Sequence, residues 1–141
     1  MSMSNGYVFG GALDGGSVSK ARLLADGTNQ DRLESLTATT RRRFEGPKVG
    51  GQLSIDLRCG SSAGVTSATG FTIWYSNLPN PSIASDDDWV QDTVAGTVLA
   101  LTATGKTFAD LSGKFARWVM LKADVTAGTA GVRAFARAEG A

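Results

Sequence analysis

The eight residues Gln52–Cys59 alternate without a break. Leu53, Ile55, Leu57 and Cys59 fall on one side of an extended chain, and Gln52, Ser54, Asp56 and Arg58 fall on the other. A period of two lines up one face of a strand, whereas a helix would scatter the same four apolar residues around its circumference. The segment therefore reads as a half-buried antiparallel strand with a solvated outer face. Gly50-Gly51 before it and Gly60-Ser61-Ser62 after it are turn signals.

Similar segments recur down the chain. Residues 71–76 form a strand with Phe71, Ile73 and Tyr75 on one face and Trp74 on the other. Residues 77–82 carry Pro79 and Pro81 and so leave the ladder as a loop. Asp86-Asp87-Asp88 leads into a short strand at Trp89-Val90, residues 97–102 alternate again, residues 103–106 read as a turn, and Thr107-Phe108 opens another strand. The segment 115–125 is apolar on both faces: Phe115, Val119 and Leu121 lie with Arg117, while Trp118 and Met120 lie with Lys122. Residues 126–131 are a turn, and 132–137 return as the closing strand of a hairpin. In the first third, residues 7–9, 17–25 and 37–44 read as strands, and 29–36 as one or two helical turns with Leu33 and Leu36 inward. Glycine makes up 18 of 141 residues, which suits turns between strands, since each glycine inside a helix costs about 1 kcal/mol against alanine. The expectation is an all-β, antiparallel two-sheet sandwich of jelly-roll type, with less than about a tenth helix. It spans residues 1–141 as one domain, with residues 1–16 as an extended N-terminal arm.

The chain contains no histidine and a single cysteine, Cys59. A serine nucleophile has no imidazole base beside it, and the commonest transition-metal ligand is missing. No glycine-rich stretch ends in the Gly-Lys-Ser/Thr of a phosphate loop. The expectation is a non-enzymatic protein without a cofactor. Fourteen basic residues against 13 acidic ones give no field for non-specific nucleic-acid binding, so no nucleic-acid partner is expected. No apolar run reaches the ~18 residues of a transmembrane helix, and the opening residues lack a signal peptide's basic start and apolar stretch. Synthesis in the cytoplasm with no membrane partner is the expectation.

Three clusters invite a functional reading. Asp86-Asp87-Asp88 offers hard oxygen ligands, but adjacent aspartates do not converge on one centre, and a solvated loop or a cap is the expected role. Arg41-Arg42-Arg43 lies in an alternating segment, which sends Arg41 and Arg43 to one face and Arg42 to the other. Arg41 and Arg43 are expected in inter-subunit salt bridges. Trp74, Tyr75, Trp89 and Trp118, beside Asn77 and Asp88, could form a sugar-stacking platform, against the usual fate of aromatics in core or interface. A single core absorbs only one face of the 115–125 strand, so Trp118 and Met120 are expected at an interface with another subunit. In the closing strand, Phe135 lies between Arg133 and Arg137 on one face, a composition that suits an acidic partner surface.

From Phe71 onward the chain shows an apolar strand ending in Tyr75-Ser76-Asn77, a Pro/Ser loop and the acidic Asp86-Asp87-Asp88-Trp89-Val90. A Thr/Gly-rich stretch, Ala116-Arg117-Trp118-Val119-Met120-Leu121-Lys122 and a hairpin through Ala127-Gly128-Thr129-Ala130-Gly131 follow. This pattern resembles small virion proteins of tailed bacteriophages, namely capsid decoration proteins and fibre-base domains. It covers about half the chain. The resemblance implies a jelly roll, a place on the virion after synthesis in the host cytoplasm, and other virion proteins as partners. It also implies repeated copies as a homo-oligomer, with a trimer favoured. A carbohydrate-binding module built on Trp74, Trp89 and the 77–89 loop is the alternative.

Overall fold

The computed structural model describes residues 3–10, 33–47, 51–60, 64–92, 97–102, 104–111 and 113–139. Ten strands lie among the described residues: β1 (Met3–Phe9), β2 (Glu34–Leu36), β3 (Thr40–Glu45), β4 (Gln52–Cys59), β5 (Ser67–Ser76), β6 (Val90–Gln91), β7 (Thr97–Leu99), β8 (Gly105–Asp110), β9 (Trp118–Ala127) and β10 (Ala130–Glu139). The described residues contain no helix.

The strands form two antiparallel sheets. In the first, the order is β1-β10-β4-β8, and β2 continues the β1 edge by pairing Glu34–Leu36 with the start of β10. In the second, the order is β3-β9-β5-β6, with β7 continuing the β6 edge of β5. Counting each split edge as one strand, the first sheet runs first, eighth, third, sixth in chain order, and the second runs second, seventh, fourth, fifth. That is the strand order of a jelly roll, the expected sandwich type.

The core lies between the sheets. Leu53, Ile55, Leu57 and Cys59 of β4 are all buried, and Val132, Ala134, Ala136 and Ala138 of β10 lie beside them. Facing them are Phe71 and Ile73 of β5 and Val119, Leu121, Ala123 and Val125 of β9. Each fully buried large side chain contributes roughly 1.5–3 kcal/mol. Cys59 is one of these small buried groups, its thiol 3.7 Å from the Leu101 carbonyl oxygen.

Local departures from the sequence reading have physical causes. Residues 3–9 of the expected arm are β1, hydrogen-bonded along β10. A bulge between Tyr7 and Phe9 inserts one residue into this strand. It turns Phe9 into the core, where strict alternation would leave it outside with Tyr7. Phe9 and Phe71 then meet across the two sheets at a centroid distance of 5.6 Å. Glu34–Leu36, expected as the end of a helical turn, pairs with β10 as a strand, and Leu36 is indeed buried. The expected strand at 17–25 lies outside the described residues. The long C-terminal strand begins at Trp118 rather than Phe115, because pairing with β3 and with β5 both end at that residue. Phe115 stands in the preceding connection, exposed. The expected turn at 126–131 tightens to Gly128-Thr129, with Gly128 at φ 88°, and the expected turn at 103–106 gives Gly105 and Lys106 to β8.

Candidate functional site

The arginine run divides as its alternation requires. Arg42 points inward at the open edge of the sandwich. Its Nη1 donates to Glu34 Oε1 at 2.6 Å and to the Val8 carbonyl at 3.0 Å, and its Nη2 donates to Glu34 Oε2. The guanidinium also lies 4.7 Å from the centre of the Phe9 ring. The Gly10 amide donates to the same Glu34 carboxylate at 3.0 Å. One arginine from the second sheet thereby fastens β1 and β2, the two segments of one edge of the first. Burial pushes the Glu34 carboxyl up, but the Arg42 and Gly10 hydrogen bonds and the Arg42 charge outweigh it and hold it below its ordinary value.

Arg41 and Arg43 point outward, and their partners belong to the same chain. The loop 77–89 is tied over the outer face of the second sheet. Asp86 Oδ1 accepts from Arg41 Nε at 2.9 Å, and its Oδ2 accepts from Lys122 Nζ at 2.8 Å. Arg43 donates to the Pro81 carbonyl at 2.6 Å and to Asn80 Oδ1 at 2.9 Å, and its guanidinium lies 4.4 Å from the Trp118 ring centre. Trp118 Nε1 donates to the Pro79 carbonyl at 3.3 Å. Met120, flanked across the strands by Arg43 and Trp74, is completely buried. The expectation that Met120 meets another subunit is therefore corrected: the chain covers that position itself. Trp118, Arg41 and Arg43 also have partners within the chain.

The acid run is split in the same way. Asp86 is the hub just described. Burial raises its carboxyl, but the hydrogen bonds and charges of Lys122 and Arg41 prevail and hold it below the usual carboxylate value. Asp88 accepts from the Ser82 amide at 2.8 Å, and the Asp87 amide donates to Ser85 Oγ at 3.2 Å. Among the described residues, no three His, Cys, Asp or Glu side chains gather where they could hold a metal ion.

The proposed stacking platform is not assembled. Trp89 is buried, with its Nε1 donating to the Ser82 carbonyl at 2.7 Å, so its ring offers no face to a sugar. Trp74 is half-buried; its Nε1 donates to Thr72 Oγ1 at 2.8 Å, and Lys122 Nζ lies 5.2 Å from its ring centre. Asn77 and Asp88, however, do share a groove of about 450 Å³ at one end of the sandwich, lined also by Tyr75, Leu78, Val90, Lys114 and Phe115. Val90 is 71% exposed and Phe115 57%. Asn77 Oδ1 accepts from the Arg117 amide at 3.1 Å, and its Nδ2 is a hydrogen-bond donor. Tyr75 Oη donates to Asp92 Oδ2 at 2.8 Å, and burial together with that carboxylate pushes the phenol above its ordinary pKa. These residues can bind a polar ligand with an apolar face.

The outer face of the first sheet carries Arg133, Phe135 and Arg137 as the alternation of β10 predicts. Register places Tyr7, Phe135, Asp56 and Phe108 in one row across four strands, and Arg133, Arg58 and Lys106 in the next. Tyr7 packs edge-on against Phe135 at 4.9 Å, and Arg133 lies 3.6 Å from Asp56. Phe108 is 69% exposed. Arg58, Lys106 and Phe108 were not singled out from the sequence. Each occupies the polar phase of its strand, but only the register reveals that they adjoin Arg133 and Phe135. No protein-family model matches the chain, and no curated protein matches it either. The reading of these surfaces rests on their own residues.

Proposed function

We propose that the chain is a non-enzymatic structural protein of a tailed-phage-like particle, carried on the capsid as a decoration protein or at the base of a fibre. One observation carries this reading. The segment that resembles such virion proteins, from Phe71 onward, spans β5–β10 of a jelly-roll strand order, the fold that the resemblance implies. The acidic loop of that segment serves as an internal strap, tying 77–89 to Arg41, Arg43 and Lys122. A sandwich strapped in this way is a rigid block suited to repeated placement. With Met120 covered by its own chain, repeated copies are better explained by seating on a symmetric partner than by a trimer built through Trp118 and Met120. Mass spectrometry of purified particles tests the proposal. Peptides of this chain at a fixed ratio to the major capsid protein are expected, and their absence from particles made by cells that express the chain would overturn it.

A carbohydrate-binding role is the second reading, favoured by the groove that joins Asn77 and Asp88 to Tyr75 and Phe115. Its aromatic would be Phe115, not the buried Trp89. A glycan array with Phe115→Ala and Asn77→Ala separates the two roles: glycan binding lost in both variants supports this site, and no binding by the parent chain removes it.

A further inference from the structure

We infer that the outer face of the first sheet is a docking surface for an acidic protein surface that also presents apolar side chains. The two outer faces of the sandwich differ. The second sheet is covered by the chain's own loop, down to a fully buried Met120. On the first, Phe108 stands 69% exposed beside a row of cations. Arg58 is the direct cross-strand neighbour of both Arg133 and Lys106. Like charges placed opposite one another in a sheet destabilise it. Asp56 lies near one end of this row, 3.6 Å from Arg133, but Arg58 and Lys106 make no hydrogen bond or ion pair among the described residues. A carboxylate delivered between them removes that repulsion, and the Arg58 fork can hold it with two parallel hydrogen bonds. One row away, Phe135 and Phe108 supply the aromatic surface that concentrates binding energy at protein interfaces.

The same rows decide against other occupants. Among the described side chains of this face, Arg58, Lys106, Arg133 and Arg137 stand against Asp56 and Asp110. Two copies placed face to face would each bring the unpaired Arg58 and Lys106, while Asp56 is already paired with Arg133, so a second copy does not fit. A single-stranded nucleic acid needs rings open for stacking along a basic track. Here Asp56 stands between Phe135 and Phe108, and Tyr7 meets Phe135 edge-on at 84°. A folded protein surface, with carboxylates over one row and apolar groups over the next, matches both.

This inference does not depend on the virion reading, and its test uses the isolated chain rather than particles. The chain, labelled with ¹⁵N, is titrated with poly-L-glutamate, with a glutamate–tyrosine copolymer and with a dT20 oligonucleotide. The expected result is a set of amide shifts confined to β4, β8 and β10, suppressed by salt, with the copolymer binding more tightly than poly-L-glutamate. Arg58→Glu with Lys106→Glu should weaken binding at least tenfold, and Arg58→Gln with Lys106→Gln by less. Phe108→Ala should abolish the copolymer's advantage. Unchanged core resonances of Leu57 and Val119 report that each variant is folded. Shifts located around Lys114 and Arg117, no shifts at all, or a double variant that binds like the parent would overturn the inference. Tighter binding of dT20 than of either polymer would reassign the face to nucleic acid and overturn it equally.

Discussion

Replacing Asp86 with asparagine isolates the charge that straps the loop to the second sheet. The side chain keeps its shape and one acceptor oxygen but loses its charge. Its partners, Arg41 and Lys122, are register neighbours on β3 and β9, so the variant leaves two cations directly opposite one another. Exposed ion pairs contribute about 0.2–1 kcal/mol each, and buried hydrogen bonds to charged groups about 1.5–3. The Lys122 side chain is 13% exposed, Arg41 22% and Asp86 35%, which places these pairs between the two cases. Discounting for solvent screening at Asp86 gives a loss of about 1–2 kcal/mol. For a domain of this size that corresponds to roughly 3–10 °C in melting temperature. The effect depends on pH with a definite sign. Because the folded state holds the Asp86 carboxyl below its ordinary value, the folded chain binds fewer protons there than the unfolded chain as the solution is acidified. The stabilisation is complete above the unfolded carboxylate value near pH 4, and is lost as pH falls through the lowered folded value. Urea unfolding of parent and Asp86→Asn, followed by tryptophan fluorescence, should show the full gap at pH 7 and a narrowing gap toward pH 2. The folded variant should also emit further to the red, because the buried Trp89 belongs to the strap, its Nε1 bonded to the Ser82 carbonyl within it. Equal midpoints at pH 7, or a gap as large at pH 2, would refute the reasoning.

Three further outcomes follow from the same geometry. Glu34→Gln removes the charge that holds Arg42 between the sheets and should cost about 1–2 kcal/mol at pH 7, measured by urea midpoint, with the loss shrinking in acid since this carboxyl too is held low. Gly128→Ala should cost about 2–5 kcal/mol, because φ is 88° and a Cβ would stand 1.8 Å from the Gly64 carbonyl oxygen; Gly113→Ala, at φ 89° with open space around it, should cost only about 1–2, and calorimetry separates the two. Leu57→Ala opens a cavity at a fully buried position and should cost about 2–5 kcal/mol by the same calorimetry.

How far the fold was legible depended on what each pattern reports. Period-two alternation states which side chains share a face. For β4 it was complete, because one face is core and the other is solvent, and every residue obeyed it. For β9 the same rule grouped Trp118, Met120 and Lys122 correctly, but it carries no information on what lies over them. The cover comes from Asp86, 36 residues before Lys122 in the chain and 45 after Arg41. No local signal marks such a contact. The β1 bulge defeated alternation outright, since one inserted residue inverts the phase and sends Phe9 inward. At the candidate surfaces, Asn77 and Asp88 were legible as polar loop residues, but Phe115 was misplaced because an apolar residue one turn before a strand looks like its first residue. Arg133, Phe135 and Arg137 were visible as a phase of one strand; Arg58 and Lys106 became their neighbours only through the register.

The strand order has a consequence for the birth of the molecule. β10 is the strand to which β1, β2 and β4 are all hydrogen-bonded, and β9 is the one between β3 and β5. These two interior strands are synthesised last of the ten. While a ribosome is still making them, β4 can pair with β8 and β5 with β6 and β7, but β1, β2 and β3 have no strand to pair with, and β4 keeps one edge open as a template for other chains. Neither sheet can close until the β9–β10 hairpin arrives and is inserted between strands already waiting. Folding is therefore a late event dominated by distant pairings, expected on the millisecond-to-second scale. A chain stalled before residue 118 would be a ready substrate for chaperones and for aggregation.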